Sequence, residues 1–285
     1  MRKRNLLRFI PGLARVAKAL DGAERHNAQL IGEVQRLNGY LHQLNFVEPE
    51  SLAETAPGEN LPVPAGVLRY LVAGTDDLAW FLGAGQLGRK TLDDLLAKRG
   101  RSLASCPKIL DFGCGCGRVT RHLKGLTGVA VHGCDSNARA IRWCERNLDF
   151  ADFLVNGLEP PLPYADGSFD LIYAFSVFTH LNDALQGRWM DELRRALAPG
   201  GLLVVTVHGD KCAEGLNLGE RADYDAGRLV VREGDVVGSN FCSAFHPQSY
   251  VRGAFTRGFD VLEFEAEGAK GNPPQDAYLL QSRRK

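Results

Sequence analysis

The spacing of apolar residues changes character twice along this chain. From Leu6 to Leu44 the spacing alternates between three and four: one seam takes Leu6, Leu13, Leu20, Asn27, Val34 and Leu41, the other Phe9, Val16, Ala23, Leu30, Leu37 and Leu44. That is the repeat of a paired helix, and a single Asn in one seam is a register device. Pro11-Gly12, Gly22, Gly32 and Gly39 work against it, each glycine costing a helix about 1 kcal/mol relative to Ala. Residues 1–47 are therefore expected as a helical arm with two open readings: a helix laid on its own domain, or a homodimer seam through residues 6–44. Residues 48–66, "EPESLAETAPGENLPVPAG", rich in Pro, Gly and Glu, are expected as a linker to a domain over 67–285.

That domain opens with a helical pattern from Val67 to Leu82. "GAGQLG" is expected to break it, and a second helix is expected over Lys90–Lys98, capped at Thr91 or a neighbour. Strand-length apolar runs then alternate with amphipathic stretches. "PKILDFG", "VAVHGCD", "FDLIYAFS" and "LLVVTVH" predict strands; "RVTRHLKGL", "NARAIRWCERNL" and "DALQGRWMDELRRAL" predict helices. Such alternation means crossover units: an α/β fold whose parallel sheet is covered on both faces, with ligands bound beyond the carboxyl ends of the strands.

After the helix "PQSYVRGAF", the stretches "FDVLEFEAEG" and "QDAYLLQSR" predict the last two strands. Ahead of that helix an insertion over 209–245 is too long for a plain connection. Within it "RLVV" and "DVVG" are expected to pair as a hairpin over the ligand. Its Tyr224, Phe241 and Phe245, mixed with Asp223, Asp225, Arg228 and Arg232, suit a sugar acceptor, and equally a simple lid.

Charge narrows the partners. Lys plus Arg and Asp plus Glu number 34 each, so no global basic field points to nucleic acid, and none is expected as a partner. The first twenty residues are the exception: Arg2, Lys3, Arg4, Arg8, Arg15 and Lys18 stand there with no acid, a composition suited to peripheral contact with a membrane surface. That start lacks a clear cleavage site and is expected to be retained. No apolar run approaches the ~20 residues of a membrane span. The seven cysteines include no CxxC pair, so reduced thiols, a cytoplasmic location and no metal site are expected.

The candidate chemistry sits in "KILDFGCGCGRVTRHL". Gly113, Gly115 and Gly117 follow a strand that carries Asp111. A dinucleotide turn would need Gly where Arg118 stands, and a phosphate-binding GxxxxGK[ST] loop is absent. Asp111 would repel a pyrophosphate but suits a ligand carrying an ammonium and a sulfonium. Asp135, closing the second strand, suits both hydroxyls of a ribose. The pattern asks for a nucleoside with a free ribose and a cationic tail.

Four stretches carry a family resemblance: "ILDFGCGCGRVT", "VHGCDSN", "LPYADGSFDLIYAFSVFTHL" and "LRRALAPGGLLVVTV". Over residues 108–207 they resemble the class I S-adenosylmethionine-dependent methyltransferases, most of all the group that includes the quinone-ring enzymes. The resemblance implies a Rossmann-like, doubly wound, mostly parallel seven-stranded sheet and S-adenosyl-L-methionine as cofactor. It places Asp111, Gly113, Gly115 and Gly117 around the methionine part and Asp135 at the ribose. Ser136 or Asn137 would border the adenine, Asn156 would stand where an Asp usually meets the adenine amino group, with Gly157 beside it, and Phe175 and Ser176 would lie by the sulfonium.

His180 is the candidate general base, set against a plain role capping the next helix or packing under the loop; His208 and His246 are weaker candidates. The [DN]PP[YF] of amino-methylating DNA enzymes is absent after the fourth strand, where "AFSV" stands, and "NPPQ" at Asn272 is expected to be a turn. The expected activity is methylation of a hydroxyl on a sugar, glycan or small metabolite. The alternatives are a protein or lipid-quinone acceptor, or a scaffold that binds the cofactor without catalysis.

Overall fold

The computed structural model describes residues 52–283. The heptad arm, its dimer seam, its basic tip and the first residues of the expected linker lie outside the described residues.

From Leu52 on, the expected linker is part of the domain. β1 (Ala53–Glu54) pairs antiparallel with β2 (Val63–Pro64), and Val63 and Ala65 are buried. The Arg121 guanidinium, itself buried, donates to the Pro62 and Leu61 carbonyls and to Glu59 at 2.9 Å. Pro57 and Gly58 form a turn, whereas Pro64 is a buried strand residue and Gly66 opens the next helix.

α1 (Gly66–Ala73) ends at Gly74, whose φ of 70° forms a left-handed cap. α2 (Leu78–Ala97) begins where the Asp77 carboxylate accepts from the Trp80 N–H at 3.0 Å. The expected break at "GAGQLG" is therefore wrong: Gly83, Gly85 and Gly88 lie inside one 20-residue helix. Two of them are there for close approach. A Cβ on Gly85 would stand 2.1 Å from the Arg118 carbonyl oxygen, and one on Gly88 2.9 Å from a Val119 methyl. Thr91 is no cap either; it lies mid-helix, its hydroxyl shared between the Leu87 and Gly268 carbonyls.

An internal comparison follows from this packing. Gly83→Ala, whose new methyl meets nothing within 4 Å, gains up to about 1 kcal/mol from helix propensity. Gly85→Ala gains the same propensity but drives a methyl into a backbone carbonyl, and loses about 2 kcal/mol net. Thermal melts of the two variants should move in opposite directions; equal shifts would mean that α2 does not touch residue 118.

The sheet follows in chain order: β3 (Lys108–Phe112), β4 (Ala130–Asp135), β5 (Ala151–Val155), β6 (Phe169–Ala174) and β7 (Leu197–Val207). α3 (Ala138–Asn147) and α4 (Asp183–Ala196) are crossover helices, capped by Asn137 and Asn182. The expected helix at "RVTRHLKGL" is only a 3₁₀ turn, Thr120–Leu123. α2 already lies on it and covers that face of the sheet, its Leu92, Leu95 and Leu96 packed with Val119, Leu123 and Ile109. On the opposite face α4 sets Trp189 and Leu193 against Phe178, Phe255 and Leu203.

Within the insertion, α5 (Asp210–Ala213) and α6 (Leu218–Asp225) precede β8 (Val230–Arg232), which pairs antiparallel with β9 (Ser243–Phe245). The hairpin forms as expected, but its second strand is 243–245, not "DVVG". β10 (Phe259–Glu265) and β11 (Asp276–Ser282) complete a seven-stranded sheet in the order β10-β11-β7-β6-β3-β4-β5. β11 is antiparallel to both its neighbours; the remaining pairs are parallel. This is the Rossmann-like, mostly parallel arrangement expected. The order reverses between β3 and β6, so the crevice opens at their carboxyl ends. No described helix is long and apolar enough to cross a membrane.

Candidate active site

The turn after β3 brings the glycines together with left-handed φ values of 77° at Gly113, 54° at Gly115 and 76° at Gly117. Any side chain there would be strained. Bareness is also needed for packing: a Cβ would meet Val177 at Gly113, Val72 of α1 at Gly115 and Leu148 at Gly117, each within 2.5 Å.

Asp111 is buried beneath the turn. Its Oδ2 accepts from the Thr120 hydroxyl and from Tyr173 Oη at 2.7 Å. Burial pushes its carboxyl up to about 6, against the pull of those two hydroxyls and of the Arg118 charge. A buried acid under that strain is ready to be stabilised by a cation.

At the end of β4, Asp135 Oδ2 accepts from the Gly115 N–H at 2.8 Å and Oδ1 from the Asn137 N–H at 2.7 Å. Each oxygen keeps a free lone pair, which fits two ribose hydroxyls. The Asn137 side-chain oxygen is committed to capping α3 through the Arg139 and Ala140 N–H groups, while Ser136 is exposed. After β5, Asn156 Nδ2 donates to the Gly157 carbonyl, and its Oδ1 is buried with no partner. An orphaned buried acceptor at this position fits the amino group of an adenine. The residues present therefore suit the nucleoside that the sequence pattern asked for.

Two residues past the end of β6 stands Ser176, a non-glycine residue held at φ 58°. Its N–H donates to Thr206 Oγ1 at 2.8 Å, and its hydroxyl donates to Gln275 Oε1 at 2.9 Å. A residue in this sparsely populated backbone region persists because it is fixed from two sides. The Phe175 ring is buried against Tyr173, in the cluster that holds Val119.

His180 lies in the 3₁₀ turn after β6 and His208 just after β7. His180 Nδ1 bonds to the Cys242 carbonyl at 2.8 Å, and His208 Nδ1 to the Ala244 carbonyl at 3.2 Å. Carbonyls two residues apart point to the same edge of a strand, so both rings hang from β9 and its approach. A carbonyl only accepts, so Nδ1 carries the proton in each ring and Nε2 keeps the lone pair. Neither Nε2 makes a hydrogen bond to a described residue.

Burial lowers both rings' affinity for protons, His208 to about 4 with the help of the neighbouring His180, so both are neutral at pH 7. His246 is sealed in the core, its Nε2 bonded to Gln186 Oε1 at 3.2 Å, and takes no part.

The insertion contributes differently from expectation. Arg228 pairs with Asp223, Arg221 with Asp225 and Arg232 with Glu220, so its charges are spent on one another. Tyr224 and Phe245 are buried. What covers the crevice is the loop after β8: the Gly238 N–H donates to the His180 carbonyl at 2.7 Å, Asn240 Nδ2 reaches the Val72 carbonyl at 3.4 Å, and Gly238 lies against Leu158. Apolar side chains remain open along this roof, Phe241 being 79% exposed, Val236 45% and Leu158 42%.

Sequence reasoning missed Thr120, Tyr173, Thr206, Gln275, Arg118 and Asn272. "NPPQ" is the turn expected, and its two polar ends accept from Arg118 and from Ser176 and Thr206. Arg118 carried a signal as well, being the charge beside the glycines.

Residues 109–201 match the family described as a methyltransferase domain. Sterol 24-C-methyltransferase erg6 of Schizosaccharomyces pombe is 34% identical over 103 residues, which cover 34% of this chain and 27% of that protein. Methyltransferase GfsG of Streptomyces halstedii is 28% identical over 179 residues, 60% of this chain and 59% of that one. The matches thus span between a quarter and three-fifths of these relatives' lengths. Among solved structures, a SAM-dependent methyltransferase from Methanosarcina mazei superposes with a TM-score of 0.49 at 22% identity, over 62% of this chain and 93% of that one.

Proposed function

We propose that this chain, which belongs to the class I S-adenosylmethionine-dependent methyltransferases, methylates a hydroxyl of a small polar acceptor: a sugar, a glycan or a metabolite. The observation that carries the acceptor class is the His180–His208 pair, two neutral imidazoles with their basic nitrogens free beside the end of β6. A hydroxyl has to lose a proton as it becomes an ether, and an amine has far less need of a base.

When bound, the cofactor supplies a methyl group already activated by a sulfonium leaving group. The protein's own work is to hold both reactants in line and to manage the proton. Asp111, Asp135 and Asn156 fix the cofactor's cationic, ribose and adenine ends around the glycine turn. Ser176, strained and held by Thr206 and Gln275, sets the floor between them. His180 Nε2 takes the hydroxyl proton, and the Cys242 carbonyl steadies the resulting imidazolium through Nδ1–H. His208 stays neutral beside it.

A second reading, an apolar acceptor such as a lipid-borne quinone, is favoured by the exposed Leu158, Val236 and Phe241 along the roof. Cofactor with a deuterated methyl group, incubated with purified protein and separated cell fractions, distinguishes the two by mass spectrometry. Label in glycans or polar metabolites supports the first reading, and label in lipids the second. Label in neither, with cofactor shown to bind, defeats both.

A further inference from the structure

His180 and His208 follow neighbouring parallel strands, β6 and β7, and end in the same condition. Each gives its Nδ1–H to a carbonyl of one stretch of chain, Cys242 for His180 at 2.8 Å and Ala244 for His208 at 3.2 Å. The two nitrogens of an imidazole face different edges of the ring, so each Nε2 points away from its carbonyl anchor. Both rings are half-buried, and neither Nε2 is sealed off from solvent.

Transfer to one hydroxyl needs one base. His180 fills that role, and the lone pair of His208 is left over. Once an acceptor displaces water from the crevice, an unanswered nitrogen beside it forfeits a hydrogen bond. Two neutral acceptors are answered by two donors. A carboxylate or a phosphate dianion has no proton to offer, and a lone hydroxyl answers one ring only. The anchoring carbonyls are two residues apart, no more than about 7 Å along an extended chain. Two hydrogen bonds of about 2.8 Å, with the oxygens of adjacent hydroxyls between them, bridge that span.

We propose that the acceptor is a vicinal diol, as in a sugar ring: His180 Nε2 accepts from the hydroxyl to be methylated and His208 Nε2 from its neighbour. The inference rests on the hydroxyl reading above and narrows it. The reacting oxygen forms its new bond to the methyl carbon as its proton passes to His180 Nε2, and the electron pair of the broken carbon–sulfur bond stays on sulfur. The product has one hydroxyl beside an ether. With His180 again neutral, that product offers one donor to two nitrogens, so it binds more weakly and methylation stops at one. His208 is thus a binding residue that selects the acceptor.

Two probe pairs test this with the full chain and S-adenosylmethionine. They are cis-cyclohexane-1,2-diol against cyclohexanol, for a sugar-like ring, and catechol against phenol, for an aromatic one. The wild type should favour the diol of at least one pair by about tenfold in kcat/KM, with the mono-ether as product, and the favoured pair names the kind of ring. His208→Phe, which keeps an aromatic ring beside Phe245, should bring that ratio close to one, chiefly through the KM of the diol. His208→Gln offers an amide donor to the Ala244 carbonyl and an oxygen to the diol, and should restore part of the preference. Thermal melts and cofactor titrations check that the variants fold.

A ratio unchanged in His208→Phe, both members of the pair being slowed alike, overturns the subsite in favour of a structural role. A wild type that methylates single hydroxyls as readily as diols overturns it too, and leaves the hydroxyl reading standing. Turnover of none of the four probes, with cofactor shown to bind, counts against the hydroxyl reading itself and removes this inference with it.

Discussion

Exchanging His180 for Gln should lower kcat by about 10²–10⁴ while leaving cofactor affinity within about twofold. Glutamine keeps a side-chain N–H for the Cys242 carbonyl, which His180 Nδ1 meets at 2.8 Å, so the loop above should stay in place. What disappears is the basic nitrogen. Because burial lowers the pKa of His180 below the ordinary imidazole value, its neutral form persists to lower pH. The rate should therefore rise with pH along a limb lying below about 6.5 and then level off, and the variant should lose that limb. His208→Gln provides the contrast, being expected to slow turnover less. The opposite ranking would move the proton to His208, and full activity in both variants would leave the hydroxyl reading without its base.

Asp111→Asn should stabilise the free domain and weaken its hold on the cofactor. The Asp111 carboxyl is raised from 3.8 to about 6 in the folded state, chiefly by burial. A folded value above the unfolded one means that the associated stability is fully present below 3.8 and is lost as pH rises through about 6. At pH 8 the ionised carboxylate costs the free domain up to about 3 kcal/mol, a cost asparagine does not carry. The variant's melting temperature should exceed that of the wild type by several degrees at pH 8, and the gap should narrow toward pH 4.5.

Binding runs the other way. A cationic ligand favours the ionised form, so wild-type affinity should strengthen as pH climbs through about 6, with proton release on binding. Asp111→Asn should bind about tenfold to a hundredfold more weakly at pH 8 with a flat pH profile. Calorimetry in two buffers of different ionisation enthalpy measures both. An unchanged affinity would show that Asp111 serves the glycine turn and not the ligand.

Local pattern made much of this protein legible. The alternation of apolar runs with amphipathic stretches specified the parallel sheet, because strands buried on both faces and helices with one wet face differ in period. The glycine turn, Asp111 and Asp135 were legible because a bare turn and a strand-end acid do their work within a few residues of chain. Spacing misled where a residue answers to a distant neighbour. Glycines at 83–88 look like a helix break, but Gly85 is small because the Arg118 carbonyl passes over it. Phe175 stands next to Ser176 in sequence, yet its ring packs into the core against Tyr173. "DVVG" has the composition of a strand, but Ser243–Phe245 lies beside the end of β7 and takes its place.

The sequence by itself determined the fold class, the cofactor's chemistry and the residues of the glycine turn, since each rests on short-range periodicity or on a motif contiguous along the chain. The tertiary structure alone decided how the buried groups are answered. It joined Thr120 and Tyr173 to Asp111, hung two histidines from one strand edge, tied Gln275 to Ser176 and set Asn272 against Arg118 across 154 residues. Such pairings depend on which loops the sheet order brings to one end of the crevice, and a buried donor or acceptor takes whatever partner stands within 3 Å of it, however far away in sequence.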